Sequence, residues 1–330
     1  MECISLFSGC LGLDLGLERA GFDLLACVEK ESSCRETIRK NRPGVPIFED
    51  ITKLSVRELL KASGRRKGQV TLLCGGPPCQ SFSTIGRRGS VLDERGQLLF
   101  EYLRILEGVR PKFFVMENVK GLLSSYGGKR PVLEDLLDRL ADKGYTNTEF
   151  TVLNAADYGV PQKRERLLLI GSRLKGRIPL PEPTHGDSWV TLGDVIKDLE
   201  DDPGACARFS KKMLSFLRKI PQGGNWRSLS LKDRKKAMGN ADLSSGGLTA
   251  FYRRLSYDLP SPTLLTSPTQ RATTLCHPTQ DRPLSVLEYK RIQGFPDDWA
   301  LEGTLAQRYR QLGNAVPVGL GEAVGRRLAS

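Results

Sequence analysis

The chain has 330 residues, 39% of them hydrophobic and 27% charged, with a formal net charge of +12. That length supports one large domain or two smaller ones, and the composition is that of a soluble globular protein with no apolar run approaching ~18 residues, so no membrane span is expected. Eight scattered cysteines form no CxxC pair and there are only two histidines, His185 and His277, which excludes the spacing of a metal site.

In chain order, Cys3–Ser8 reads as a short buried strand, followed by glycines at 9, 12 and 16 and a helical stretch over 12–20. Asp23–Glu29 is a second strand ending in an acid. Residues 31–40 look helical, Pro46–Glu49 is a third strand and Val56–Ala62 a helix. Val70–Cys74 is a fourth strand that runs into GGPPCQSF. Leu98–Leu106 is helical, and Phe113–Met116 is a fifth strand leading into ENV. Val132–Lys143 has apolar residues at helical spacing, and Phe150–Asn154 and Leu167–Ile170 are two final strands. Beyond Arg173 the prolines 179, 181 and 183 mark a linker. Helical patterning returns around Leu284–Ile292 and again at Val316–Leu328. Strands alternating with helices predict an α/β fold: a doubly wound, mostly parallel sheet with a smaller irregular domain.

Ligands of such sheets sit beyond the carboxyl ends of the strands. Ser8, Gly9, Glu29, Asp50, Cys79 and Glu117 all fall there. Pro77 and Pro78 fix the backbone on one side of Cys79, and Gly75 and Gly76 let a ligand approach closely. That setting suits a nucleophilic thiol, although a rigid turn with an incidental cysteine would look the same. Glu117 ends a hydrophobic strand. There, partial burial raises a carboxyl pKa and suits it to acid work; a structural carboxylate bonded to backbone amides is the alternative. The turn at Gly9 and Gly12 is not GxGxxG, yet it offers amides to a polar ligand, and Glu29 can take ribose hydroxyls. Asp50 could equally cap the next helix. Arg164 and Arg166 precede an apolar strand, as surface ion pairs or as contacts to an anion or a base edge.

The charge is uneven. Gly204–Arg254 carries 12 Lys/Arg against 2 Asp/Glu, whereas Met1–Ser172 carries 26 against 22. A solvated polar face or a surface for a phosphate backbone both fit that concentration.

In this order, LFSGCLGLDLG, Glu29, Asp50-Ile51, GGPPCQSFS, ENVKG, NAADYGVPQKRER, RPLSVLEYKRIQGFPDDW and QLGNAVPV span nearly the whole chain. Together they resemble the bacterial DNA (cytosine-5) methyltransferases. The resemblance implies a Rossmann-like fold that binds S-adenosylmethionine. Phe7, Ser8, Gly9, Cys10, Gly12, Glu29, Lys30, Asp50, Ile51, Gly76, Pro78, Leu98 and Asn314 would form the cofactor site. It implies that Cys79 adds to C6 of an extruded cytosine while Glu117 bonds the N3 and N4 edge. Arg166, with Arg164 nearby, would hold O2, and Asn118 and Pro78 would support the pocket. A mobile loop from Gln80 to Gln97 would close over duplex DNA. Ser83, Arg87, Arg88, Arg227, Arg253, Arg254 and Arg271 would meet that DNA. Residues 1–175 would be catalytic, 176–281 would recognise the target, 282–303 would be a hinge, and 304–330 would return to the catalytic part. The family usually has Gly where Leu11 stands and Gly where Glu49 precedes Asp50.

The resemblance implies a monomer acting in the cytoplasm on chromosomal DNA, with no metal and no membrane, and often beside a restriction endonuclease. The N-terminus MECISLFSGC has neither the basic n-region nor the apolar h-region of a secretion signal. A transfer-RNA cytosine methyltransferase and a catalytically inactive DNA-binding homologue are the competing readings. The long basic segment favours duplex DNA over the first, and the intact PPCQ and ENV oppose the second.

Overall fold

The computed structural model describes residues 1–78, 94–127, 130–176, 178, 180–239, 250–270 and 274–330. Cys79, Ser83, Arg87, Arg88 and Arg271 lie outside the described residues.

The chain builds β1 (Glu2–Leu6), α1 (Gly12–Arg19), β2 (Asp23–Val28), α2 (Ser32–Asn41), β3 (Ile47–Phe48), α3 (Val56–Ala62), β4 (Leu72–Gly75), α4 (Glu94–Val109) and β5 (Phe113–Asn118). After β6 (Tyr126–Gly127) and β7 (Arg130–Pro131) come α5 (Val132–Asp142), β8 (Asn147–Asn154), β9 (Gln162–Lys163) and β10 (Glu165–Ser172). The second half holds α6 (Leu192–Ile196), α7 (Lys211–Leu217), α8 (Leu231–Met238), β11 (Arg253–Arg254), β12 (Ser261–Pro262), β13 (Leu275–Cys276), α9 (Val286–Gln293), α10 (Leu305–Asn314) and α11 (Val318–Ala329). Helix α4 begins at Glu94, so Glu94–Gln97 belong to a helix rather than to the expected loop. Helix α10 carries signals that the apolar pattern alone passes over. Thr304 caps it, with Gln307 completing a capping box.

Seven strands form one sheet in the order β3-β2-β1-β4-β5-β10-β8. The first five run parallel. Only β10 is reversed, being antiparallel to both β5 and β8. Strand order changes direction between β1 and β4, and that switch point is where α/β sheets open a crevice. Reversal of β10 has a second effect: its first residues, Glu165 and Arg166, reach the same edge as the carboxyl ends of the parallel strands.

One face of the sheet packs on Leu59, Tyr102, Leu106, Leu136 and Leu140 from α3, α4 and α5. The other packs on Leu13 and Leu17 of α1 and Leu320, Val324 and Leu328 of α11. α1 and α11 approach through glycines. An ideal Cβ on Gly16 would lie 2.3 Å from Val318 O, and one on Gly321 would lie 2.6 Å from Leu13 O. Only side chains of no size allow that separation.

A separate small core joins Phe209, Met213, Phe216, Trp226, Met238, Tyr252 and Cys276. Leu192, Ile196 and Leu264, also within 176–281, pack instead with α9 and α10. Among the described residues no helix is long and apolar enough to cross a membrane, and no group of three potential metal ligands occurs.

Candidate active site

At the switch point a cavity of about 730 Å³ opens beyond β1, β2, β4 and β5. The turn after β1 shapes its floor. Phe7, Gly9 and Leu11 all take left-handed φ values of 56°, 55° and 68°. A leucine at the third of these is strained, and its burial at 1% exposure offsets the strain by apolar packing. Leu11 therefore takes a conformation that favours glycine, the residue the family usually has there. Gly12 is required for a different reason: an added Cβ would sit 2.2 Å from Val316 O.

Glu29 follows β2 and is 8% exposed. Its Oε2 accepts from Gly9 N at 2.7 Å and its Oε1 from Glu31 N at 2.8 Å. Burial pushes its pKa up, and the two amides partly oppose that. Each oxygen keeps a lone pair for a hydroxyl donor. Asp50 and Ile51 line the same cavity. Asp50 Oδ1 accepts from Thr52 N and Oγ1 at 2.9 and 2.7 Å, which holds its carboxyl below the usual range. It does not cap α3; Ser55 does.

Phe7, Ser8, Gly9, Gly12, Lys30, Gly76, Pro78, Leu98 and Asn314 also border the cavity. Cys10 is a correction. It lies at 1% exposure in an apolar cluster, its thiol donating to Gln311 O at 3.5 Å, because the turn before α1 directs it inward.

Glu117 and Arg166 form the chemical edge of the cavity. Arg166 Nε donates to Glu117 Oε1 at 2.7 Å, and both side chains are largely buried. Burial pushes the Glu117 pKa up, against the pull of Arg166 and Arg164. Gly76 makes room for the other oxygen: a Cβ there would lie 2.7 Å from Glu117 Oε2. Asn118 Nδ2 donates to Pro77 O at 3.1 Å and so ties the diproline turn to the end of β5.

Arg164 is 1% exposed, its Nη1 and Nη2 donating to Leu264 O and Gly313 O at 2.9 and 2.8 Å. Burial, followed by the Arg166 charge, pushes its pKa down to about 9. The guanidinium is committed to joining β9–β10 with the segment after β12 and with α10. Arg164 also borders the cavity, beside Arg166.

Sequence reasoning missed Thr263–Thr266, which line the cavity because β12 pairs with β9. It also missed a buried amide relay. Gln162 Nε2 donates to Gln293 Oε1 at 2.8 Å, and Gln293 Nε2 donates to Leu312 O. The partners are too far apart in the chain for local pattern to link them.

Among the basic residues, Arg254 is a second correction. It is 5% exposed and donates to Ile220 O, Leu217 O, His277 O, Gln280 O and Asp281 Oδ1. Two-residue alternation in β11 turns it inward. Arg253 is half-buried, and Arg227 is exposed with its guanidinium 5.5 Å from the Trp226 ring centroid.

Residues 1–330 match the family described as C-5 cytosine-specific DNA methylase. The chain is 39% identical over 333 residues to the Type II methyltransferase M.PspPI of Psychrobacter sp., covering 98% of this chain and 78% of that one. It is also 39% identical over 333 residues to M.Eco47II of Escherichia coli, covering 98% and 77%. The fold resembles that of a prophage-encoded E. coli protein described as a DNA modification methyltransferase, with TM-score 0.70, 24% identity and coverage of 100% and 98%. It also resembles a substituted DNMT2 of Spodoptera frugiperda, with TM-score 0.71, 18% identity and coverage of 100% and 99%. With a family match over its whole length and relatives near two-fifths identity, the chain belongs to the C-5 cytosine-specific DNA methylase family.

Proposed function

We propose that this protein transfers a methyl group to C5 of a cytosine extruded from duplex DNA, with S-adenosylmethionine as donor. The observation that carries the reading is the Glu117–Arg166 pair at the mouth of the cavity, beside the glycines and prolines that precede Cys79. The residues present fit the donor. Glu29, held by two amides, still offers acceptors to a ribose diol; Phe7 and Ile51 offer apolar surface to an adenine, with Asp50 beside them. When bound, the donor supplies an electrophilic methyl group.

The protein's own residues do the rest. A base inside the stack exposes neither C5 nor C6 to attack, so the cytosine must leave it. Cys79 as thiolate forms a bond to C6, and the displaced ring electrons make C5 nucleophilic. Glu117, whose pKa burial raises, holds a proton at N3 as charge builds there. Arg166 fixes the Glu117 carboxyl and reaches towards O2. After C5 is methylated its proton leaves, and the returning electrons expel the thiolate. Asn118 braces the turn that aims Cys79 through its bond to Pro77.

Residues 1–175 would carry this chemistry, 176–281 would read the DNA sequence, 282–303 would hinge, and 304–330 would close on the catalytic part. The protein would act as a monomer on chromosomal DNA in the cytoplasm. Its Type II relatives suggest a role beside a restriction endonuclease.

A duplex carrying 5-fluorocytosine tests the reading. With donor present the protein should form a covalent complex through Cys79, and Cys79→Ala should bind DNA without forming it. Bisulfite sequencing should then show 5-methylcytosine at one short motif. Methylation of transfer RNA but not of duplex DNA would overturn the reading, as would full methylation by Cys79→Ala.

A further inference from the structure

A second cavity of about 530 Å³ adjoins the first, its border including Lys120, Asn154, Lys163, Glu165, Arg166 and Thr263. Arg166 belongs to both, so this cavity is the outer vestibule of the site. Its charges are not equivalent. Arg166 is bound to Glu117 at 2.7 Å, and Lys120 pairs with Glu165 at 3.1 Å. Lys163 is exposed, and among the described residues no carboxylate pairs with it.

Strand alternation explains that placement. Gln162 and Arg164 point inward into the buried amide and carbonyl contacts, so Lys163 between them points out. Its backbone is pinned as well: Thr263 Oγ1 donates to Lys163 O at 2.8 Å. The ammonium is not left to wander. Lys163 Nζ lies 4.6 Å from the centroid of the Trp189 ring. Trp189 is itself fixed, its Nε1 donating to Asp157 Oδ1 at 2.8 Å. Asp157 O in turn accepts from Thr184 N and His185 N, each at 2.9 Å, which anchors the strap that carries Trp189. An exposed lysine normally loses much rotamer freedom on binding; a ring that already holds it reduces that loss.

We infer that Lys163, held over the vestibule by Trp189, is a phosphate contact for the DNA strand that delivers the target base, with Trp189 acting as its positioning residue. This rests on the reading that duplex DNA is the substrate. A cation at the vestibule that pairs with no carboxylate among the described residues, Glu165 being engaged by Lys120, lies close to the groups that would meet the base and is placed for the sugar–phosphate backbone beside it. A phosphate contact carries no sequence information, so it should strengthen cognate and non-cognate duplexes alike.

The test is the salt dependence of duplex binding, measured by fluorescence anisotropy between about 50 and 200 mM KCl, where loss of one phosphate contact lowers the slope of log K against log salt by about 0.9. Lys163→Met should lower the slope by that amount on cognate and non-cognate duplexes, while affinity for S-adenosylmethionine stays as in the wild type. Trp189→Leu should lower the slope in the same direction, and Trp189→Phe, which keeps a ring face, should restore it. A wild-type slope in Lys163→Met would overturn the inference. A wild-type slope in Trp189→Leu, with its melting temperature intact, would overturn the positioning role. If the wild-type protein itself binds no duplex DNA, the failure belongs to the functional reading instead.

Discussion

Arg166 Nε donates to Glu117 Oε1 across 2.7 Å, and the two residues come from neighbouring strands that run in opposite directions. The pairing depends on the reversal of β10. Had β10 run parallel to β5, its first residues would lie at the far edge of the sheet. The contact therefore links a topological feature to a chemical one: a carboxyl biased towards its protonated form, with one oxygen already engaged.

Glu117→Gln keeps the size of the side chain and an acceptor for Arg166 but holds no transferable proton. Its single-turnover methyl transfer should fall by roughly 10²–10⁴, the range of a lost general acid. Binding of duplex DNA should persist. A Glu117→Gln protein that methylates at the wild-type rate would remove Glu117 from the chemistry.

A second buried carboxyl gives a pH prediction. Asp14, on α1, is 1% exposed and accepts from the Cys74 thiol at 3.6 Å. Burial, with a contribution from Glu18, raises its pKa from 3.8 to about 6. A folded-state pKa above the unfolded one means that the stability linked to this group is fully present below pH 3.8 and lost as pH rises through 6. Above that range the ionised carboxylate costs the folded state on the order of 2–3 kcal/mol. Asp14→Asn keeps the acceptor for Cys74 and removes the charge. Chemical denaturation should find the variant more stable than the wild type at pH 8, with the gap closing towards pH 4. A gap independent of pH would show that Asp14 does not titrate in that window.

The part of the site that was legible in the sequence consists of short stretches at strand ends, where composition and position coincide. SGC after β1, Glu29 after β2, GGPP after β4 and ENV at the end of β5 each combine a hydrophobic strand with a polar or conformationally special residue. The parallel α/β architecture followed from their alternation with helices. What stayed hidden depended on distant pairing. Thr263–Thr266 reach the cavity because Ser261 and Pro262 pair with Gln162 and Lys163, and two residues of strand leave no periodic signal. The helix-to-helix contact of α1 and α11 needs glycines at both ends of the chain at once. Arg253 and Arg254 read identically as basic residues, and only the direction of a two-residue strand separates them.

That separation is itself testable. Arg254→Met should destabilise the fold by roughly 1–3 kcal/mol: it removes one of two partners of the partly exposed Asp281 carboxylate, which keeps Arg218 at 3.0 Å. It also removes a donor from the carbonyls of Leu217, Ile220, His277 and Gln280, of which Leu217 O keeps Ile220 N and Gln280 O keeps the Cys276 thiol. Arg227→Ala should melt like the wild type, and if Arg227 meets a phosphate, it should lower the salt slope of DNA binding by about 0.9. Urea titration and anisotropy together distinguish the two. Unchanged stability in Arg254→Met would return Arg254 to the list of DNA contacts.

Gly16→Ala probes whether the C-terminal helix is needed to hold the cofactor turn. The added Cβ would meet Val318 O at 2.3 Å and Glu322 N at 2.5 Å, both backbone atoms that no rotamer change can move. α11 would have to shift away from α1, and overpacking of this kind costs roughly 1–3 kcal/mol or more. The shift would also reach Gly12, whose close approach to Val316 O sets the chain leading out of α10 beside the cavity. Gly16→Ala should therefore lower the melting temperature and weaken binding of S-adenosylmethionine together, although residue 16 does not border the cavity. Calorimetric titration with the donor checks the second effect. A variant that melts earlier but binds the donor with wild-type affinity would show that the helix contact stabilises the fold without shaping the site.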